Sequence, residues 1–247
     1  MCLILVAWQA HPEYPLVVAA NRDEFYGRPS AAAGRWAEDP RVLGGRDLEA
    51  GGTWLGVRED GRFAAVTNVR EPGMAKGSRS RGLLARDFLL EDAPPGAWAA
   101  AVDGAACSGF NLLLADPREL WYLSNRDGAA RRLEAGVYGL SNHRLDTPWP
   151  KLVGAKARFQ AALGGLPDPE PCFAILADRE TVPDQSLPDT GVALAWERLL
   201  SAIFVRSEAY GTRACTLLTR GRDGALRLEE RSFGPGGAPL ASRTIRT

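Results

Sequence analysis

Histidine is nearly absent from this chain: His11 and His143 are the only two in 247 residues. A Ser-His-Asp triad, or any chemistry with histidine as general base, would have to use one of them. Cysteine is almost as scarce. Four residues, at 2, 107, 172 and 215, form no C-x-x-C pair. Neither a zinc site of clustered Cys and His nor the disulfide framework of a small secreted domain is expected. An excess of one charge is missing too, since 30 basic and 30 acidic residues cancel. No global field then recruits nucleic acid or an anionic membrane surface. Met1 to Trp8 is apolar, but no Lys or Arg precedes it, and His11-Pro12-Glu13 stops the run far short of a signal-peptide core or a membrane span. The phosphate loop, the dinucleotide fingerprint, the G-x-S-x-G elbow and H-E-x-x-H are all missing. These absences describe a reduced, cytoplasmic protein with no membrane span, no nucleic-acid partner and no metal site.

What is present is an ordinary globular balance, 45% hydrophobic and 24% charged, which supports a sizeable core and excludes wholesale disorder. Two apolar runs, Leu3–Trp8 and Leu16–Asn21, flank a Pro-containing turn and read as paired strands. Glu59-Asp60-Gly61 and Arg222-Asp223-Gly224 mark further hairpins, joining Trp54–Val57 to Phe63–Val69 and Thr212–Thr219 to Ala225–Phe233. Phe110–Ala115, Leu120–Leu123 and Val137–Leu140 are additional strand candidates. Helical spacing appears over Arg81–Glu91, Trp98–Val102, Lys151–Leu163 and Ala195–Phe204. The stretch from Gly27 to Gly52 reads as a long loop, and Leu166–Pro188 as loop with at most one helical turn. Hairpins at both ends with helices between them indicate one α+β domain spanning 1–247.

Cys2 is the informative residue. Methionine removal exposes a small second residue, and the chain would then start with an amine and a thiol on the same residue. An α-amino group with a pKa of about 7.7–8.0 serves as a base near neutrality, and a thiol near ~8.5 is readily activated by it. One residue thus supplies nucleophile and general base without histidine. The alternative is that Cys2 is simply a small apolar strand residue. Asn21-Arg22-Asp23-Glu24 ends the second strand with four polar residues. If the first two strands are neighbours, this cluster lies beside Cys2, where Asp orients the amine and Asn donates to an oxyanion. The alternative is a solvated strand end. Gly44-Gly45 and Gly51-Gly52 either let backbone approach a ligand beside the aromatic wall of Trp54, or are plain loop chemistry. His143, in the segment Ser141-Asn142-His143, sits on a loop after a strand.

An N-terminal Met-Cys followed by Asn21-Arg22-Asp23-Glu24 resembles the NRDE family, whose eukaryotic members are called transport and Golgi organisation protein 2. Gly44-Gly45-Arg46-Asp47, Gly51-Gly52-Thr53-Trp54-Leu55-Gly56, Val66-Thr67-Asn68-Val69-Arg70, Leu140-Ser141-Asn142-His143 and Gly211-Thr212-Arg213 agree with it in order. That family is similar in turn to N-terminal nucleophile (Ntn) hydrolases of the choloylglycine hydrolase and penicillin V acylase type. The resemblance implies a four-layer αββα sandwich. It implies that Cys2 matches the nucleophile, Asp23 the aspartate holding the α-amine, and Asn68 the oxyanion asparagine. Asn142 matches a second asparagine, and Arg213 an arginine near the cysteine. Asn21, Arg22, Trp54 and His143 are candidates for substrate binding. One departure stands out: those enzymes carry Arg directly before the Asn, whereas this chain has Ala20 there and Arg22 after it.

Three functions follow. The first is a cysteine amidohydrolase or acyltransferase acting on a small-molecule acyl substrate and requiring no cofactor. The second, implied by the family's association with haem mobilisation and acyl-CoA or lipid homeostasis, is a carrier with haem or an acyl ligand in the cleft. Cys2, His11 or His143 would then be candidate axial ligands. The third is a domain whose cleft is vestigial.

Overall fold

The computed structural model describes residues 2–247, Cys2 by its place in the first strand alone. β1 (Cys2–Trp8) and β2 (Leu16–Phe25) pair antiparallel across the expected turn. β3 (Ser30–Arg35), β4 (Val42–Asp47), β5 (Leu55–Arg58) and β6 (Phe63–Asn68) follow as a meander. Helices α1 (Arg81–Leu90) and α2 (Pro95–Ala101) lead to β7 (Phe110–Ala115), β8 (Leu120–Ser124) and β9 (Arg131–Leu133). β10 (Gly136–Leu140) returns to β1. α3 (Pro150–Ala162), α4 (Glu170–Leu176) and α5 (Leu194–Ser201) come next. β11 (Tyr210–Arg220), β12 (Leu226–Phe233) and β13 (Pro239–Arg246) are the last strands.

The strands form two antiparallel sheets. One runs β10-β1-β2-β11-β12-β13 and the other β3-β4-β5-β6-β7-β8-β9. Successive side chains of a strand face opposite ways, so β1 contributes to two cores at once. Ile4, Val6 and Trp8 pack with Leu43, Val57, Phe63 and Leu113 between the sheets. Leu3, Leu5 and Ala7 pack outward against Leu152 and Phe159 of α3 and Phe173 of α4. The second sheet repeats the pattern, sending Ala64, Leu112 and Leu114 out against Leu84 and Phe88 of α1 and Trp98 of α2. Apolar covering on both faces explains why these strands read as unbroken hydrophobic runs. The three cores stack as helix, sheet, sheet, helix. This is the αββα sandwich that the resemblance implied.

Several expectations need correction. Gly27–Gly52 is not a loop: it holds β3 and β4, whose Gly and Ala content hides the alternation of a strand. Asn21-Arg22-Asp23-Glu24 does not end β2, because β11 pairs with it as far as Phe25. Nor are its first three residues a solvated end, since Asn21, Arg22 and Asp23 are buried. Leu166–Pro188 contains α4, about two turns long. The helix expected to reach Phe204 ends at Ser201. Gly44, Gly45 and Gly52 serve close packing within the chain, and Gly51 a turn at φ +72°. A Cβ on Gly44 would stand 2.6 Å from the Leu55 carbonyl oxygen, and one on Gly45 would stand 2.1 Å from the Trp54 indole.

Candidate active site

β1 places Cys2 at the open end of the first sheet, directly across from Arg22 of β2. On its other side the β1–β10 pairing ends at Ile4 and Leu140, and the chain continues into Ser141 and Asn142. The first strand therefore begins between Arg22-Asp23 and the Ser141–His143 loop. The Cys2 side chain and Met1 lie outside the described residues.

Asp23 is 2% exposed, and its surroundings are built by a bulge in β11. The register shifts between Thr212 and Ala214, which leaves Thr212 opposite Asp23. The Thr212 hydroxyl accepts the Val205 N–H at 2.9 Å and donates to Asp23 Oδ1 at 2.6 Å. Burial pushes the Asp23 carboxyl above its ordinary range, while Lys151, the Thr212 hydroxyl and Arg22 pull the other way. Lys151 is itself buried and donates to the Leu200 carbonyl at 2.7 Å. Thr212 and Lys151 had no role in the sequence reading. Thr212 lies inside the Gly211-Thr212-Arg213 motif, so a signal for it existed. Lys151 gave none beyond its place in a helix.

Asn68 ends β6, and its side chain is oriented by Asn142. The Asn142 amide donates to Asn68 Oδ1 at 2.8 Å and to the Asn68 carbonyl at 3.1 Å. With its oxygen occupied, Asn68 keeps its NH2 for another acceptor; the amide makes one long contact, 3.4 Å to the Val69 carbonyl. Asn142 is fully buried because its loop is tied to the opposite sheet. Thr67 donates to the Ser141 carbonyl at 3.0 Å, and Asn111 to the His143 carbonyl at 2.8 Å. The Tyr122 hydroxyl donates to Asn111 Oδ1 at 2.8 Å. Beyond Asn68, the Arg70 N–H donates to the Asn142 carbonyl at 2.8 Å, and Arg70 pairs with the buried Glu197 at 2.6 Å.

These elements surround a cleft of about 150 Å³ lined by Arg22, Asp23, Trp54, Thr67, Asn68 and Arg81, among others. The Arg22 guanidinium lies 4.2 Å from the centre of the Trp54 ring, a cation–π stack. Arg28 grips Asp47 with two hydrogen bonds of 3.1 and 2.8 Å on the cleft wall. Against the cost of burial, that fork holds the Asp47 carboxyl below its ordinary range.

The structure thus brings Asp23, Asn68, Arg22 and Trp54 to one cleft, with Asn142 behind Asn68. Four other candidates are placed elsewhere. The Asn21 amide donates to the Leu176 and Ile203 carbonyls at 2.8 and 2.9 Å, fastening the helical layer to β2. Arg213 is the bulged residue of β11, and it donates to the Phe25 and Arg28 carbonyls. His143 is exposed, and its Nδ1 lies 2.9 Å from the Thr147 hydroxyl. His11 closes the β1–β2 turn at the far end of the strand, where Nδ1 accepts two backbone N–H groups. Among the described residues no group of three His, Cys, Asp or Glu is arranged to hold a metal ion, and no helix is long and apolar enough to cross a membrane.

The sequence model of the family Transport and Golgi organisation 2 matches residues 1–235. The chain belongs to that family. Transport and Golgi organization protein 2 homologs from Bos taurus and Homo sapiens are each 36% identical to it, the alignments covering 94% of this chain and 93% of theirs. Among solved structures it aligns with a conjugated bile acid hydrolase from Clostridium perfringens at TM-score 0.49 and 9% identity, covering 99% of this chain and 92% of that one.

Proposed function

We propose that this protein is a cysteine acyl-transfer enzyme of the N-terminal nucleophile type, with Cys2 as nucleophile after removal of Met1. The observation that carries the proposal is the pair Asp23 and Asn68. One is a buried carboxylate beside the start of β1, and the other is an amide donor whose oxygen is already occupied by Asn142. In the proposed reaction the α-amine takes the thiol proton and the sulfur attacks the carbonyl carbon of an amide or thioester. The oxyanion accepts from the Asn68 NH2. The protonated amine then gives its proton to the leaving nitrogen or sulfur. Water, or an acceptor, releases the acyl group from the thioester on Cys2. Asp23 holds the α-ammonium in place. A cleft lined by Arg22, Asp23, Glu24, Arg28, Asp47 and Arg81 favours this chemistry over carriage of an apolar macrocycle such as haem. Cys107, Cys172 and Cys215, all buried and unbridged, fit a reducing cytoplasm.

The test starts with the intact mass of the untagged protein, where loss of Met1 is expected. Incubation with a panel of acyl thioesters and activated amides should then leave an acyl adduct that peptide mapping assigns to Cys2. Retention of Met1, or labelling that is indifferent to Asn68→Ala and Asp23→Asn, sinks the mechanism.

A further inference from the structure

Arg22 and Trp54 also form one wall of a second cavity, of about 240 Å³, on the side away from Asp23 and Asn68. Register explains why it is open. Arg22 is opposite Ala214 of β11, Ala214 opposite Ser232 of β12, and Ser232 opposite Ala241 of β13. The row that begins with Cys2 opposite Arg22 therefore continues across the sheet through three small residues to its outer edge. Ser30, Ala31 and Ala32 of β3, the edge strand of the other sheet, line the facing side. With strands about 4.8 Å apart, the trough from β2 to β13 is roughly 14 Å long. Trp54 gives it an aromatic wall, and Ala31, Ala32, Ala214 and Ala241 line it with small apolar side chains.

The charged groups on it are unequal. Arg22, Arg213 and Arg243 all line the cavity, against one carboxyl, Glu230. Glu230 is 2% exposed and is occupied by the Ala33 N–H at 2.7 Å and the Thr216 hydroxyl at 3.5 Å. Burial pushes its carboxyl up toward the neutral form, with those contacts and the charges of Arg22 and Arg243 opposing. Arg243, across from Glu230 on the exposed edge strand, has no ion-pair partner among the described residues. An apolar trough with a few convergent cations is the usual makeup of a site for an amphipathic ligand.

We propose that this trough is a substrate subsite, taking a slender aliphatic chain that ends in a carboxylate. The substrate's amide would lie at Arg22 and Trp54 and its distal carboxylate at Arg243. The inference rests on the acyl-transfer reading for the location of the amide, but its test does not need turnover. Suberamic acid and octanamide are linear amides that differ in the distal carboxylate. Their affinities are measured by calorimetry on the full-length Cys2→Ala protein, with Arg243→Gln and Ala241→Trp as further variants. Both positions are exposed on the edge strand, so circular dichroism should be unchanged.

Suberamic acid is expected to bind about tenfold tighter than octanamide, the scale of one charge-assisted contact. Arg243→Gln should erase that preference, and Ala241→Trp should abolish binding of both amides. Equal affinity for the two amides, affinities untouched by both variants, or no binding of suberamic acid at millimolar concentration overturns the subsite. If the affinity pattern holds but no acyl adduct ever forms on Cys2, the reaction falls and the subsite stands. The reverse result removes the subsite alone.

Discussion

Asn142 never touches the cleft in the way Asn68 does, yet the proposed oxyanion donor depends on it. Replacing Asn68 with Ala removes one preorganised donor, which in comparable sites costs about 10²–10³ in turnover. Asn142→Ala is expected to lower turnover as well, because the Asn68 amide then loses the contact that fixes which end faces the cleft. It also leaves buried polar atoms unpaired, at about 1–3 kcal/mol of stability. Denaturant titration should register that loss in Asn142→Ala and much less of it in Asn68→Ala. Equal destabilisation of both would contradict the assigned division. Glu230 supports a second test. Its carboxyl is raised in the fold, so its contribution to stability is full below the unfolded value and is lost as pH rises through the raised one. Glu230→Gln keeps an oxygen for the Ala33 N–H and cannot ionise. Its melting temperature should exceed the parent's at pH 8, with the difference closing toward pH 4. A parent that outlasts the variant at pH 8 would show that the charges of Arg22 and Arg243 outweigh burial. At this scale the sequence was legible where chemistry is local. Cys2, Asp23 and Asn68 stand in short motifs. Thr212 stands in a motif too, but its bond to Asp23, like that of Tyr122 to Asn111 under the Ser141–His143 loop, was not legible, since each pairing joins segments remote in sequence or on different strands.

Strand β2 shows how an element can outrun its own propensity. Asn, Arg, Asp and Glu are poor strand residues in isolation, but β2 has β1 on one side and β11 on the other. That supplies partners for the backbone through Phe25 and buries Arg22 and Asp23 on the cleft wall. β3 and β4 are the opposite case, where small residues carry no periodicity and the strands are recognisable only from their neighbours. Close approach is the reason for the two glycines of β4. Gly45 faces the Trp54 ring, and an added methyl would overlap it. Gly45→Ala is therefore expected to push the indole from its place and break the Arg22 stack, costing about 1–3 kcal/mol as overpacking does. Tryptophan emission and thermal melting check it. An unchanged spectrum with an unchanged melting temperature would mean that the indole has room the structure denies it. Gly27, where a methyl meets nothing within 4 Å, is the internal control.

The chain divides unevenly between the layers. All of the second sheet, β3 through β9, and its covering helices α1 and α2 come from one uninterrupted stretch of sequence, whereas the first sheet is assembled from both ends of the chain. A contiguous half could in principle melt by itself. Three features argue that it does not. The inter-sheet core draws Ile4, Val18 and Leu228 from one sheet and Leu43, Phe63 and Leu113 from the other, so neither half retains an inner face when separated. Glu230 reaches across to the Ala33 N–H, and Asn111 to the His143 carbonyl, each joining the two sheets. Fully burying one large apolar side chain is worth about 1.5–3 kcal/mol, so losing the shared core would exceed a typical domain's whole stability of about 5–15 kcal/mol. Unfolding is therefore expected to be a single transition across all four layers. Phe88→Ala in the α1 layer, Phe63→Ala between the sheets and Phe159→Ala in the α3 layer should each cost about 3–5 kcal/mol. Far-UV dichroism and tryptophan fluorescence should follow one coincident curve in all three. Two resolved transitions, with Phe88→Ala moving one and Phe159→Ala the other, would instead divide the chain into two folding units and end its description as one domain.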